Sequence, residues 1–257
     1  MNLLSWNCRG LGIQHAINVL SHLVREKAPK VLFFMETKQS IEEMQRIQVD
    51  LHYRCMLAVP TKQRRGGLAL RWKEDVDLHI QIYSPNHIVA LILNGFDPPW
   101  RLTGFYGYPE EQRKRESWQL LKRLHTRFAV PWLCYGDFNE IVQSSEKQGR
   151  LPKQQQPMME FRAALLHCGL VDLGFQGNML TWNNGRPKDA FVQEQLDKAC
   201  ANSKWRSLFP HAKVIHIQSS YFDHNPIIIN ISMPNLLGSK DLGSKCIRTS
   251  IYNVGKP

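Results

Sequence analysis

A chain of 257 residues can bury a full core in one domain, and its 43 % hydrophobic and 21 % charged residues are ordinary for a globular protein. No apolar run approaches the roughly 18 residues of a membrane helix, and the opening MNLLSWNCRG lacks a signal-peptide pattern, so a nuclear or cytoplasmic location without membrane contact is expected. The net charge of +11, from 33 Lys+Arg against 22 Asp+Glu, favours a polyanionic partner without choosing between DNA, RNA and a phosphoinositide surface.

In chain order, LLSWNC alternates as a strand does. Ala16, Val19, Leu20, Leu23 and Val24 then recur at helical spacing up to Pro29. VLFFME is a continuous apolar run, as in a strand buried on both faces, and Ile41, Met44 and Ile47 mark a short helix. YRCMLAV, GGLALRW, DLHIQIY, HIVALILN and WRLTGFYG read as successive strands. A helix over 110–128 puts Trp118, Leu121, Leu124 and Phe128 on one face. WLCYGDF is a strand, and MEFRAALLHCGL is a helix closed by Gly169. AFVQEQLDKACAN, KVIHIQSS and PIIINIS complete the strands. Strands do not alternate strictly with helices. The pattern predicts an α/β (α+β) protein of two stacked mixed or antiparallel sheets with helices outside. Residues 1–234 form one domain, and the polar 235–257, with its near-repeat LLGSKDLGSK, reads as a poorly ordered tail. The six cysteines form no CxxC pair, which leaves zinc unsupported and points to buried free thiols.

Polar residues interrupt the apolar strands at similar places. Asn7 follows LLSW, Glu36 ends VLFFM, Asp137 and Asn139 follow WLCYG, Asp197 lies in EQLDKA, and Asp223-His224 follow KVIHIQSS. Singly, each has a plain reading: a helix cap at Glu36, a turn at GDFN or DHNP, a surface ion pair at Asp197, a structural histidine at 224. Together they have the chemistry of a hard-metal site. Carboxylates suit Mg²⁺ or Mn²⁺, and an Asp–His pair suits a positioned general base acting on water or on phosphate.

WNCRGLG, FMETK, GFYGYPE, YGDFNEI, LTWNN, QLDKACAN and FDHNPI, in this order over residues 1–232, closely resemble the endonuclease/exonuclease/phosphatase family. The likeness is greatest to the endonuclease domain of plant LINE-type (non-LTR) retrotransposon polyproteins. The resemblance implies a four-layer α-β-β-α sandwich and Mg²⁺-dependent phosphodiester hydrolysis that nicks DNA. It implies Glu36 as metal ligand with Asn7 beside it, and Asp137 and Asn139 around the attacking water and the phosphate. His224 would contact the scissile phosphate, braced by Asp197. Asp223 would be a metal- or histidine-orienting residue, and Tyr106 would contact the phosphate or leaving oxygen. Three residues depart from the pattern. Arg9 replaces the aspartate of apurinic/apyrimidinic relatives, which weakens a two-metal reading. Phe222 replaces a serine, and Lys198 an arginine. No reverse-transcriptase segment follows, so the chain resembles a detached copy. A catalytically silent nucleic-acid-binding remnant and a small-phosphoester phosphatase are the alternatives.

The basic helix, with Arg113, Lys114, Arg115, Lys122, Arg123 and Arg127, and the Lys62, Arg64, Arg65 cluster before Gly66-Gly67 are candidate contacts to a DNA backbone. Neither offers a base-reading pattern, so weak sequence preference for DNA is expected; the protein itself is expected to be a monomer.

Overall fold

Side-chain alternation decides the architecture. In the computed structural model, which describes residues 1–50, 53–60, 66–93, 95, 99–218 and 222–232, β1 (Asn2–Asn7) sends Leu3 into one apolar cluster and Leu4 and Trp6 into another. Strand β2 (Val31–Met35) does the same with Phe33 and Phe34. Both faces of the sheet are therefore covered, which explains why VLFFM is apolar throughout.

The outer face of this sheet packs on α1 (Gln14–Lys27) and α2 (Ile41–Asp50) through Ala16, Leu20, Leu23, Met44 and Ile47. The sheet continues with β3 (Cys55–Val59) and β4 (Leu68–Trp72). A second sheet begins with β5 (Leu78–Ser84), β6 (His87–Ile92) and β7 (Trp100–Tyr106). Helix α3 (Lys114–Arg127) crosses over to β8 (Trp132–Asp137), which runs parallel to β7. In the same manner α1 links the parallel pair β1 and β2.

The two-residue strand β9 (Lys147–Gln148) precedes α4 (Gln155–His167), which ends at Gly169 with φ +61°. The chain then forms β10 (Val171–Asp172), β11 (Trp182–Asn183), β12 (Gln193–Glu194) and β13 (Asp197–Ala201). Helix α5 (Ser203–Leu208), β14 (Lys213–His216) and β15 (Ile227–Asn230) close the fold.

The first sheet has the order β14-β15-β1-β2-β4-β3 and the second β10-β13-β8-β7-β6-β5. Leu3, Phe33 and Leu70 of the first meet Ile88, Leu102, Leu133 and Tyr135 of the second in the central core. Trp118, Leu121 and Leu124 of α3 and Phe161 of α4 cover the far side of the second sheet. Four layers result, α-β-β-α, as the two mixed sheets and flanking helices predict.

Two readings of the C-terminal third change. AFVQEQLDKACAN is not one strand. It splits into β12, which joins a small third sheet with β9 and β11, and β13 of the second large sheet. The break falls where the Thr181 hydroxyl accepts the backbone N–H groups of Leu196 (3.1 Å) and Asp197 (3.0 Å). Helix α5 was not expected; the Asn202 side chain caps it by accepting the N–H of Trp205. Cys8, Cys134, Cys168 and Cys200 are buried free thiols, whereas Cys55, on edge strand β3, is disulfide-bonded. Residues 235–257 lie outside the described residues.

Candidate active site

At one edge of the sandwich both sheets end in polar side chains. β1 ends at Asn7, and Glu36 follows β2 with φ +50°. In the second sheet Tyr106 ends β7, Asp137 ends β8 and Asp197 opens β13. Strand register brings the last three together: Tyr106 is level with Asp137, and Asp137 with Asp197. The Asp137 N–H, 3.3 Å from the Met35 sulfur, ties one sheet to the other.

Asn7 spans the seam. Its amide donates to Glu36 (3.1 Å) and to Asp137 (3.0 Å), and lies 3.4 Å from His224 Nε2. Asp197 Oδ2 meets His224 Nδ1 at 3.0 Å on the other side of the ring. The Tyr106 hydroxyl donates to Glu36 Oε1 at 2.9 Å. Asn139, at φ +55°, turns its N–H back to Asp137 Oδ1 (2.8 Å) and its amide to the Gly107 carbonyl (2.8 Å). Asn7, Asp137, Asp197 and His224 are all buried.

The model of the endonuclease/exonuclease/phosphatase family matches residues 4–213. The chain belongs to this family. Among solved structures, the endonuclease domain of TRAS1, a telomere-specific non-LTR retrotransposon, superposes with a TM-score of 0.63 at 15 % identity, covering 90 % of this chain and 98 % of its own. A 3′ phosphatase from Neisseria bound to its product DNA hairpin gives 0.67 at 15 % identity, covering 90 % and 99 %. An AP endonuclease from Archaeoglobus fulgidus gives 0.68 at 15 % identity, covering 91 % and 100 %. No curated protein sequence matches significantly. At these identities the structural likeness carries the fold. The matched residues stop before Asp223 and His224, whose placement rests on geometry.

Seven of the eight site residues predicted within this family pattern meet through the contacts above. Asp223, the eighth, is at the rim, where its carboxylate takes the Arg9 guanidinium. Arg9 also lies 3.6 Å from Glu36 Oε2, and Lys38 lies 3.8 Å from the same oxygen. Cations of the chain thus stand beside the Glu36 carboxylate. Phe222 packs edge-on to Trp6 (ring centroids 5.0 Å) and stacks near His15 (5.6 Å). The Trp6 indole donates to the His224 carbonyl at 3.2 Å, so this aromatic contact sits beside the turn that carries the histidine. Lys198, one residue along from Asp197, points to the opposite face and pairs with buried Glu146 at 2.8 Å.

The sequence reading missed the bracing. Asn183 N–H and Asn225 N–H bond the carbonyls of Asp223 (2.8 Å) and Thr181 (2.7 Å), stitching the DHNP turn to the LTWNN segment. The available signal was LTWNN itself, a motif with no side chain suited to catalysis.

Electrostatics separates the acids. Burial pushes Glu36 up, but hydrogen bonds from Asn7 and Tyr106 and the charge of Arg9 hold it below its ordinary value. Burial raises Asp137, reinforced by Asp197 and opposed by His224. Burial would lower His224, yet Asp197 and Asp137 override it and raise the imidazole to about 9. At neutral pH the histidine is therefore cationic and the neighbouring Asp137 is poised to take a proton. Replacing Asp197 with Asn is expected to move the His224 titration down by roughly one to three pH units. NMR of the ring protons follows this without any turnover; an unmoved titration would show that Asp197 does not support the charge.

A divalent cation fits this donor set. Asp137 and Asp197 each offer a carboxylate oxygen within 4.8 Å of the other, in a cluster with His224, which as a cation does not itself ligate. Asp197 Oδ1 is buried without a hydrogen-bond partner among the described residues. Glu36 supplies a further carboxylate whose Oε2, among the described residues, meets only the longer-range charges of Arg9 and Lys38. Oxygen-rich donors of this kind suit Mg²⁺ or Mn²⁺.

The predicted nucleic-acid contacts divide. Arg64 and Arg65 lie outside the described residues. Arg113 chelates Glu116 (2.9 and 2.8 Å), and Arg115 chelates Glu160. Lys114 is buried on Glu140 at 2.6 Å. These three are engaged within the protein because their acidic partners fold beside them.

Proposed function

We propose that the protein is a metal-dependent endonuclease that nicks a phosphodiester of DNA, of the LINE-type retrotransposon class. The observation that carries this reading is the seam itself: Asn7 joining Glu36 to Asp137, and Asp197 holding a cationic His224 against them. Glu36, with Asn7 beside it, would hold Mg²⁺ or Mn²⁺. A bound ion of this kind polarises phosphate and stabilises the leaving oxygen. Asp137, steadied by the Asn139 N–H, orients a water and accepts its proton. His224 donates to a phosphate oxygen and steadies the charge that develops there. Burial and Glu36 raise the Tyr106 hydroxyl above its ordinary value, so it stays protonated and serves as a donor. The TRAS1 domain and the DNA-bound phosphatase support DNA as the substrate.

One observation favours a second reading, a DNA-binding fold without turnover: Arg9 already neutralises Glu36 and Asp223. Nicking of supercoiled plasmid separates the two. The endonuclease reading expects relaxed circles with Mg²⁺, none with EDTA, and at least about 100-fold less with Glu36→Gln. Salt-sensitive DNA binding without metal-dependent nicking would establish the silent form instead.

A further inference from the structure

With Arg113, Lys114 and Arg115 engaged, Lys122, Arg123 and Arg127 remain as the lysine and arginine side chains of α3 outside any ion pair among the described residues. Among the described residues neither Arg123 nor Arg127 has an ion-pair partner, and both are exposed. They sit four apart, on one helix face, and both line a cavity of about 480 Å³ between α3 and the β5–β6 hairpin. The one acid in that wall, Glu116, is held by Arg113.

The hairpin side is built as well. His87 is buried and lines the cavity. Its Nδ1 lies 2.7 Å from the Ser84 hydroxyl, which accepts the Asn86 N–H at 3.1 Å. Giving the Ser84 proton to Nδ1 leaves Nε2–H as the donor of the neutral ring. Burial, followed by the charges of Arg127 and Arg123, pushes this imidazole down to about 4, so it stays neutral. Two guanidinium groups and a neutral donor line the cavity, and its one carboxylate, Glu116, is already paired with Arg113. Apolar Leu120 and Leu124 form part of the lining.

The cavity is linked to Tyr106 through Asn86, one of its lining residues. Asn86 clasps Tyr106 from both sides: its amide donates to the Tyr106 carbonyl (2.9 Å), and its carbonyl accepts the Tyr106 N–H (2.8 Å). The Tyr106 hydroxyl is the one that meets Glu36. We infer that the cavity is a second phosphate subsite, which takes a backbone phosphate of DNA flanking the cleaved bond, with Arg123 and Arg127 as its charged contacts and His87 as a neutral donor. The inference rests on the nuclease reading for its ligand, and on the unpaired arginines and the built cavity for its place.

The test is fluorescence anisotropy of labelled duplex DNA on the full chain in EDTA, over a range of salt. Arg123→Gln/Arg127→Gln is compared with Lys122→Gln/Arg115→Gln, which removes equal charge from the same helix outside the cavity. The expected result is about tenfold weaker binding for the first pair, with a salt slope smaller by about two, and less than about threefold for the second. Equal losses in the two variants, or none in the first, would overturn the subsite. If the unaltered protein binds no DNA, the nuclease reading fails by itself. The cavity is then judged with inorganic pyrophosphate: a shift of the His87 ring protons that the arginine variant loses sustains an anion site, and no shift removes it.

Discussion

His224→Ala will lower DNA cleavage by about 10²–10⁴-fold, the span for loss of a positioned acid–base group. The ring is the one group that touches Asn7, Asp197 and Asp137 together. The same substitution has a second signature. It leaves Asp137 and Asp197 buried and level with each other, without the cation between them. Breaking a buried charge group in this way costs about 3–5 kcal/mol. The sign with pH has two parts: the variant loses His224, which is raised on folding to about 9, and it keeps Asp137, which is raised by burial and rises further once His224 is gone. A carboxylate raised on folding binds more protons folded than unfolded, so stability falls as pH climbs through that window. The lost His224 contribution is full below about pH 6.5 and fades toward pH 9, and it offsets the added Asp137 part, so relative to the unaltered chain the variant should lose at least as much melting temperature at pH 5 as at pH 8. Cleavage within tenfold of normal in a folded variant would remove His224 from the chemistry.

Gly136→Ala has the largest expected effect on folding. Gly136 sits at φ +140°, and a Cβ there would stand 2.1 Å from the Phe105 carbonyl oxygen and 3.1 Å from its carbon. The obstacle is backbone of the paired strand β7 and cannot turn aside. Gly136 also precedes Asp137, so any shift moves the site. A loss above about 4 kcal/mol is expected, or no folded protein at all. Gly169→Ala is the matched control: its φ is +61° and a Cβ would meet nothing within 4 Å, so only the left-handed strain of about 1–2 kcal/mol applies. Denaturant midpoints for the two variants decide it; similar losses would mean that space around Gly136 is not the limit.

Most of the sandwich was legible because its strands carry their burial in their composition. VLFFM, HIVALI and CMLAV can sit only where at least one face is covered, and α3 shows its core face as Trp118, Leu121 and Leu124. What escaped depends on partners far along the chain. The end of β12 is set by Thr181, and the small third sheet has strands of two residues, too short to leave a period. Helix α5 has six residues, and its one clear sign was Asn202 as a cap. The site was legible as polar residues at strand ends, since a lone buried carboxylate there is costly and a group of them is not. The state of the cations was not legible. Arg115 is exposed on α3 by pattern, and only the fold brings Glu160 to it; Arg9 meets Asp223 from 214 residues away.

Asn7 and Glu36 come from one sheet, and Tyr106, Asp137 and Asp197 from the other. The proposed reaction centre is thus a gauge of the gap between them. That gap is calibrated in the core, where Phe33 presses on Gly104 so closely that a Cβ there would lie 2.5 Å from the ring. Productive geometry tolerates only ~0.5 Å of error. Wedging the layers apart at Gly104 would therefore detune turnover without touching a single polar group. Apolar residues at the centre of this sandwich set the reaction's tolerance, and substitutions there will register first as a change of rate.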